Sequence, residues 1–172
     1  MTLTAPTGRY QTLSALALVA GMALTVGTAL GFQHIGGYIP CKLCLEQRTP
    51  YYVGIPLMAL ALVSSALKLP AVVTRGLLLA GGLLMAYGAY LGAYHSGVEW
   101  GWWAGPTDCG VVEAPAGGGG SGGVLDQLNA VIPPSCNEAA GRFLGLSFAG
   151  WNVIASVVLA AIGLTGALRR RA

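Results

Sequence analysis

Charged residues are scarce in this sequence. Asp, Glu, Lys and Arg make up only 9% of the 172 residues, whereas 55% of the residues are hydrophobic. An ordinary soluble domain has roughly 25% charged residues, so this chain has too few charges to cover the surface of a water-soluble fold. That scarcity excludes a soluble enzyme and a disordered regulator, and the formal net charge of only +3 excludes a protein that binds nucleic acid. The composition therefore predicts an integral membrane protein.

Four long stretches of the chain contain no Asp, Glu, Lys or Arg at all. Each is long enough to cross a hydrocarbon core of ~30 Å, which requires about 20 helical residues. Their hydrophobic runs are continuous, without the alternation that a β-barrel needs. We therefore predict an all-α membrane protein, a four-transmembrane-helix bundle in a single membrane domain over 1–172. The helices are predicted near 12–32, 42–67, 71–94 and 144–168, with a short first outer loop and a long second one at about 95–143.

The basic residues are distributed unequally between the two ends of the predicted helices. Six lie at one end and three at the other: Arg9, Lys68, Arg75, Arg169, Arg170 and Arg171 against Lys42, Arg48 and Arg142. Loops rich in Lys and Arg face the cytoplasm, so we predict a multi-pass protein with both termini cytoplasmic and all cysteines outside. A cleaved signal peptide is disfavoured for the first span, because its hydrophobic run exceeds the usual ~7–15 residues and no clear A-x-A site follows.

The chain has only four cysteines, Cys41, Cys44, Cys109 and Cys136. The outer compartment is oxidising, so disulfides are expected there. Four cysteines allow three pairings, and the local spacing favours Cys41–Cys44 and Cys109–Cys136 without deciding among them. A glycine-rich run at 117–123 separates the second pair, and a flexible linker of that separation reaches roughly 25–30 Å. This composition favours an exchangeable disulfide, from which Cys136 can travel to Cys41.

Cys41 and Cys44 form a CxxC motif, which closes too short a loop to stabilise a fold strongly. Such motifs occur mostly in metal sites or in redox exchange, where one thiol attacks and the other resolves. A zinc site would need both cysteine pairs as ligands, so we predict redox exchange and no metal, with structural disulfides as an open alternative. The sequence has no CxxCH haem motif, flavin fingerprint or iron–sulfur spacing. By elimination, a lipid-soluble electron acceptor is expected, and a quinone fits.

The residues around the CxxC motif support redox chemistry. Pro40 suits the first turn of a helix, which places both sulfurs at a helix N-terminus, where a thiolate is favoured over a thiol. Arg48 follows Cys44 by one helical turn on the same face, where it can hold Cys44 as a thiolate or stabilise an anionic form of a bound molecule. Two prolines in this span predict kinks that open a groove at headgroup depth, Pro50 and Pro56.

Three segments of the chain carry a family resemblance. FQHIGGYIPCKLCLEQR (32–48), YHSGVEWGWWAGPTDC (94–109) and CNEAAGRFLGLSFAGWN (136–152) resemble the DsbB family of bacterial disulfide bond formation proteins. The resemblance implies a four-helix bundle in the bacterial inner membrane that reoxidises a periplasmic DsbA-like thiol oxidase with a thioredoxin fold. It also implies that the two electrons pass to a membrane quinone, either ubiquinone or menaquinone.

The resemblance assigns a role to each cysteine. It implies that the partner's thiolate attacks Cys109, and that Cys136, once freed, attacks Cys41. Cys44 is then released as a thiolate that reacts with the quinone, with Arg48 beside it, and re-formation of the Cys41–Cys44 disulfide leaves quinol. Two histidines are candidates for holding the quinone, His95 after the third span and His34 near the outer end of the first.

Two other functions compete with this interpretation. A non-catalytic membrane scaffold would use the same cysteines as inert structural disulfides in its outer loops. An enzyme similar to vitamin K epoxide reductase would use related chemistry. That fold usually places its CxxC motif after the loop pair of cysteines, whereas here the motif comes first, which disfavours it.

Overall fold

The computed structural model of the protein describes residues 7–106 and 136–169. Four segments within these ranges are long and apolar enough to cross a membrane, so the predicted all-α bundle with four membrane-spanning helices is confirmed. The elements in chain order are α1 (Arg9–His34), α2 (Lys42–Glu46), α3 (Thr49–Ala66), α4 (Ala71–Glu99), β1 (Arg142–Phe143), β2 (Leu146–Ser147) and α5 (Phe148–Leu168). Helices α2 and α3 together form the second span.

The second span is interrupted at Gln47 and Arg48, between α2 and α3. Pro50 lies in the first turn of α3, where its missing N–H leaves no helical hydrogen bond unmade. Pro56 lies inside α3, and the helix continues through it. A kink was expected at each of these prolines. The helix is broken just before Pro50, whereas it is not interrupted at Pro56.

Two helix ends differ from the sequence prediction, and in both places a local interaction explains the difference. Helix α4 continues past residue 94 to Glu99, whose side chain is only 4% exposed and faces His95 one turn earlier. Helix α5 begins at Phe148 because the preceding residues form the β1–β2 hairpin. Ser147 ends that hairpin and caps α5, since its Oγ accepts a hydrogen bond from the Gly150 N–H at 3.2 Å.

The centre of the bundle is apolar and tightly packed, and its largest residues come from all four spans. They include Leu18, Met22, Tyr51, Met58, Leu78, Met85 and Leu159, each at most 5% exposed. Helices α4 and α5 approach most closely, because a Cβ placed on Gly163 would lie 2.7 Å from Gly82 Cα. Small residues at such crossings let membrane helices pack backbone to backbone.

A buried arginine joins two helices at the end of the bundle that contains the N-terminus. The Arg75 side chain is fully buried, and its Nη1 donates hydrogen bonds to the carbonyls of Ala167 at 2.7 Å and Arg169 at 2.8 Å. Gln11 Nε2 donates to Gly166 O and Arg169 O at 3.3 and 3.2 Å. These donors satisfy carbonyls at the end of α5 that have no partner within the helix. Arg75 thus lies at the end of the spans where the charge count places it, but its side chain is buried and acts as an interior helix cap.

We expect Arg75→Met to destabilise the bundle strongly. The free energy of unfolding should fall by about 1–3 kcal/mol for each buried carbonyl that loses its donor, as measured by denaturant-induced unfolding in detergent micelles. Arg9→Met is the matched control, because Arg9 lies at the same end of the bundle and is exposed. Equal losses of stability in the two variants would contradict a capping role for Arg75.

Candidate functional site

Cys41 and Cys44 lie at the start of α2, the helix N-terminus that Pro40 predicts. Cys41 is the N-cap residue, and its sulfur accepts a hydrogen bond from the Cys44 backbone N–H at 3.4 Å. The sulfurs of these two free thiols are 2.9 Å apart. Because a disulfide bond is about 2.05 Å long, the pair can be oxidised with little movement of the backbone.

Cys136 reaches the same place from the second loop. This residue is 9% exposed and packs against Cys41, Leu43 and Val98. Its sulfur, the Cys41 sulfur and a ring nitrogen of His95 all lie within 4.8 Å of one another. Three of the four predicted catalytic cysteines are thus brought together, and we call Cys41, Cys44 and Cys136 the sulfur cluster. Cys109 and the glycine-rich run at 117–123 lie outside the described residues.

Two thiols of the sulfur cluster resist ionisation. The pKa of Cys41 is raised to about 12, first by its hydrogen bond with Cys44 and then by burial. Burial raises the pKa of the Cys136 thiol to about 11. The expectation that the helix N-terminus favours a thiolate is therefore wrong for Cys41. Helix α2 has only five residues, so its N-terminal field is too weak to outweigh burial and the neighbouring sulfur.

His95 connects the sulfur cluster to polar groups inside the bundle. This residue is 2% exposed, and its Nε2 lies 3.6 Å from Cys41 Sγ and 3.8 Å from Glu99 Oε1. Its Nδ1 lies 2.6 Å from the side-chain nitrogen of Gln47. From Gln47, hydrogen bonds continue across the bundle through three more side chains, Asn152, Tyr51 and Ser156. We call Gln47, Asn152, Tyr51 and Ser156 the polar network.

Sequence reasoning missed the polar network and Glu99. Gln47 and Asn152 both lie within the segments that carry the family resemblance, and Tyr51 and Ser156 are polar residues within predicted membrane spans. Such residues are rare in membranes and face the bundle interior or a functional site. That signal is present in the sequence, but the pairing of these residues depends on the packing of α3 against α4 and α5.

Two cavities meet at Cys44. A small cavity of about 160 Å³ is lined by Cys41, Cys44, His95 and Glu99 together with residues of the 138–149 segment. A larger cavity of about 580 Å³ lies between α1, α3 and α5, and its lining is mainly apolar. Cys44 lines both cavities. The volume of the larger one is within the range of about 300–1,000 Å³ that is usual for ligand sites.

Arg48 places a cation in the lining of the larger cavity. Its Nη1 donates a hydrogen bond to Gln33 Oε1, and its Nη2 donates to the carbonyl of Ala29 at 3.4 Å. Both acceptors belong to α1. Arg48 lies in the break between α2 and α3, and its side chain extends across the cavity to α1. His95 lines the small cavity and is absent from the lining of the larger one, and His34 is exposed at the end of α1 and lines neither.

Cys41, Cys136 and His95 are close enough together to be considered as metal ligands. A histidine ligand must present a ring nitrogen without a proton. Gln47 donates its N–H to His95 Nδ1, which leaves the proton of a neutral imidazole on Nε2, the nitrogen that faces the Cys41 sulfur. The donor set therefore does not fit a metal ion in this tautomer, and we derive no step that involves one.

Comparison with known proteins gives the family. The model of the family described as Disulfide bond formation protein DsbB matches residues 11–166. A Disulfide bond formation protein B from Polaromonas sp. (strain JS666 / ATCC BAA-500) is 31% identical over 91% of this chain and 88% of its own length. Another from Saccharophagus degradans (strain 2-40 / ATCC 43961 / DSM 17024) is 30% identical over 91% of this chain and 93% of its own length. No solved structure matches the chain significantly. With a matching family model over most of its length and four spans around a CxxC motif, this chain belongs to the DsbB family of disulfide bond formation proteins.

Proposed function

We propose that this disulfide bond formation protein reoxidises a periplasmic DsbA-like thiol oxidase and passes the two electrons to ubiquinone or menaquinone. The observation that carries the proposal is the position of Cys44. Its side chain lines the small cavity that contains Cys41 and His95, and it also lines the large apolar cavity between the membrane-spanning helices. One sulfur atom is therefore in contact both with a site for thiol–disulfide exchange and with a site suited to a lipid-soluble molecule.

The large cavity has the properties that a quinone site needs. It is mainly apolar, and Cys44 and Arg48 contribute a sulfur and a cation to its lining. A bound quinone would supply an acceptor for two electrons and two protons. Arg48 is held in place by its hydrogen bonds to α1, so its charge faces the cavity before any ligand binds. A preorganised charge of this kind stabilises negative charge without having to rearrange.

The exchange step within the protein balances without a further oxidant. The partner's thiolate attacks Cys109 of the Cys109–Cys136 disulfide, and Cys136 leaves as a thiolate. Cys136 then attacks Cys41, the Cys41–Cys44 bond breaks, a Cys41–Cys136 bond forms, and Cys44 becomes a thiolate beside the large cavity. The separation of at most 4.8 Å between the sulfurs of Cys41 and Cys136 supports this transfer.

We further infer that the sulfur cluster lies on the periplasmic side of the inner membrane, with both termini in the cytoplasm. The sulfur cluster lies near the end of α4 and the start of α5, whereas Arg9 and Leu168 lie at the opposite end of the bundle. By sequence, the larger number of basic residues belongs to the end at which α1 begins and α5 ends, as is usual for cytoplasmic ends of membrane proteins.

Reconstitution tests the proposal. The purified protein in liposomes, without oxygen, is given a reduced thioredoxin-fold dithiol protein, and quinone absorbance is followed together with thiol oxidation. We expect one quinol for each dithiol oxidised, and no turnover in liposomes that lack quinone. Cys136→Ser is the control, because it leaves the large cavity intact but removes the exchange step. Oxidation of the dithiol protein that continues without quinone would contradict the proposal, and inert disulfides would favour the scaffold instead.

A further inference from the structure

The polar network has no role in the exchange as proposed so far, although it reaches His95 and three of its residues, Gln47, Tyr51 and Asn152, line the large cavity. Backbone carbonyls at the edges of the network can only accept hydrogen bonds, and this determines which atom donates in the other hydrogen bonds. We propose that the polar network fixes the tautomer of His95, so that Nε2 carries the proton and donates it as a hydrogen bond toward the Cys41 sulfur. This inference rests on the proposed function for its purpose, but its geometry stands independently.

The orientation of the Asn152 amide is the first step. Its Nδ2 lies 3.5 Å from the carbonyl of Gly88, an atom that can only accept, and 2.7 Å from Gln47 Oε1. Its Oδ1 accepts a hydrogen bond from the Tyr51 hydroxyl at 2.6 Å. Because a hydroxyl has one proton, Ser156 then donates to Tyr51 Oη across their 2.8 Å contact. Asn152 is thus held with its NH₂ group toward Gln47.

The orientation of the Gln47 amide follows from that of Asn152. Its Oε1 accepts from Asn152, and its Nε2 donates to the carbonyl of Leu43 at 3.3 Å. Turning this amide over would place an NH₂ group against the NH₂ group of Asn152 and an oxygen against a carbonyl. Gln47 therefore presents an N–H to His95 Nδ1 at 2.6 Å.

The orientation of the Gln47 amide determines the tautomer of His95. In a neutral imidazole one ring nitrogen donates and the other accepts, and Nδ1 has to accept from Gln47. The proton is therefore on Nε2, which lies 3.6 Å from Cys41 Sγ and 3.8 Å from Glu99 Oε1. The Glu99 oxygen is too distant from Nε2 for a hydrogen bond, so the N–H is available to the Cys41 sulfur. The other carboxylate oxygen, Oε2, is buried and has no hydrogen-bond partner among the described residues.

The N–H of His95 Nε2 would stabilise the thiolate form of Cys41. This sulfur leaves as a thiolate when the Cys109 thiolate attacks Cys136 of the Cys41–Cys136 disulfide and re-forms the Cys109–Cys136 bond. Burial disfavours that charge, whereas an N–H donor at the sulfur stabilises it. His95 touches the reacting atom, and Gln47, Asn152 and Tyr51 act through it as positioning residues. The role assigned to His95 thereby moves from holding the quinone to stabilising the Cys41 thiolate.

Nitrogen NMR of the imidazole ring tests the tautomer directly. The sequence has only two histidines, so His34→Gln leaves one labelled ring in the full-length, reduced protein without quinone. We expect ¹⁵N shifts and ring cross-peaks of His95 that correspond to a proton on Nε2. Asn152→Asp should reverse the Gln47 amide, since a carboxylate accepts only, and should place a proton on Nδ1. Asn137→Asp is the matched control, because it adds the same charge at an exposed position beside Cys136.

A second measurement tests the effect of the polar network on the reactivity of the Cys41 thiol. In a variant that retains Cys41 as its only cysteine, Asn152→Asp should slow alkylation of Cys41 about tenfold at fixed pH, the effect of losing one hydrogen bond to a charged group. Asn137→Asp should leave this rate near that of the parent.

A proton on Nδ1 in the parent protein, or an unchanged tautomer in Asn152→Asp, would overturn the proposal. If Asn152→Asp does not fold, Gln47→Glu serves in its place. A carboxylate at position 47 can only accept from His95, so the proton should move to Nδ1, and an unchanged Nε2–H form would contradict the network. None of these spectra depends on quinone, so failure of the proposed function and failure of this inference are observed separately.

Discussion

Cys44→Ser is expected to lower the rate of quinone reduction by roughly 10³-fold or more, because it removes the reacting sulfur itself. Cys44 is the one cysteine in the lining of the large cavity, so none of the described cysteines is placed to replace it. The same variant should accumulate a disulfide between Cys41 and Cys136. Without Cys44, the Cys41 thiolate attacks Cys136 of the Cys109–Cys136 disulfide, and Cys109 leaves as a thiol.

Peptide mapping under non-reducing conditions identifies that disulfide, and quinone absorbance gives the rate. Cys41→Ser is the matched control, because it also abolishes turnover but cannot form the Cys41–Cys136 bond. Because the Cys41 and Cys136 sulfurs lie no more than 4.8 Å apart, the bond should form at low protein concentration and within one chain. Full activity of Cys44→Ser, or a complete absence of the Cys41–Cys136 bond, would contradict the proposed order of exchange.

Arg48→Met is expected to lower kcat/KM for quinone by about 10²-fold. A hydrogen bond from a cation to a charged group contributes about 1.5–3 kcal/mol, and each 1.4 kcal/mol corresponds to a factor of about ten. In the proposed mechanism Arg48 stabilises negative charge in the cavity as electrons leave Cys44, so kcat should fall along with the affinity for quinone. Steady-state kinetics at varied quinone concentration separate the two effects.

Arg48→Lys is the control for charge alone. It retains the cation but lacks the planar guanidinium that reaches both Gln33 Oε1 and the Ala29 carbonyl, so we expect a loss between those of wild type and Arg48→Met. The exchange between Cys136 and Cys41 should proceed normally in both variants. An unchanged kcat/KM for quinone in Arg48→Met would place the acceptor elsewhere, whereas slower disulfide exchange would indicate a structural role.

Membership of the DsbB family is shown by the comparisons, and the resemblance of the three quoted segments already predicts it. The sequence also predicts that the cysteines form one site, because a CxxC motif is a local pattern, and the structure places Cys41, Cys44 and Cys136 together. It does not predict how readily Cys41 ionises. The pKa of that thiol is raised to about 12 by the Cys44 contact and by burial, and burial depends on which helices cover it.

Arg75 and Glu99 illustrate the same limit of sequence reasoning. A charged residue near the end of an apolar run is usually a boundary residue, and charge counting treats both in that way. In the bundle Arg75 caps α5 from the interior, and Glu99 lies one turn from His95 in the last turn of α4. Arg75 is buried because carbonyls of another helix replace the hydrogen bonds that water would supply, whereas Glu99 is buried beside the His95 ring.

The sequence by itself determined the four spans, the membrane environment and the chemical class of the site. These properties follow from local composition, since a long hydrophobic segment without charged residues is more stable in the membrane than in water, whichever residues pack against it. Only the tertiary structure decided that Cys136 meets Cys41, that Cys44 lines two cavities, and that Gln47 and Asn152 connect to His95. These features depend on distances between atoms far apart in the chain, and such distances are set by the packing of helices rather than by any local pattern.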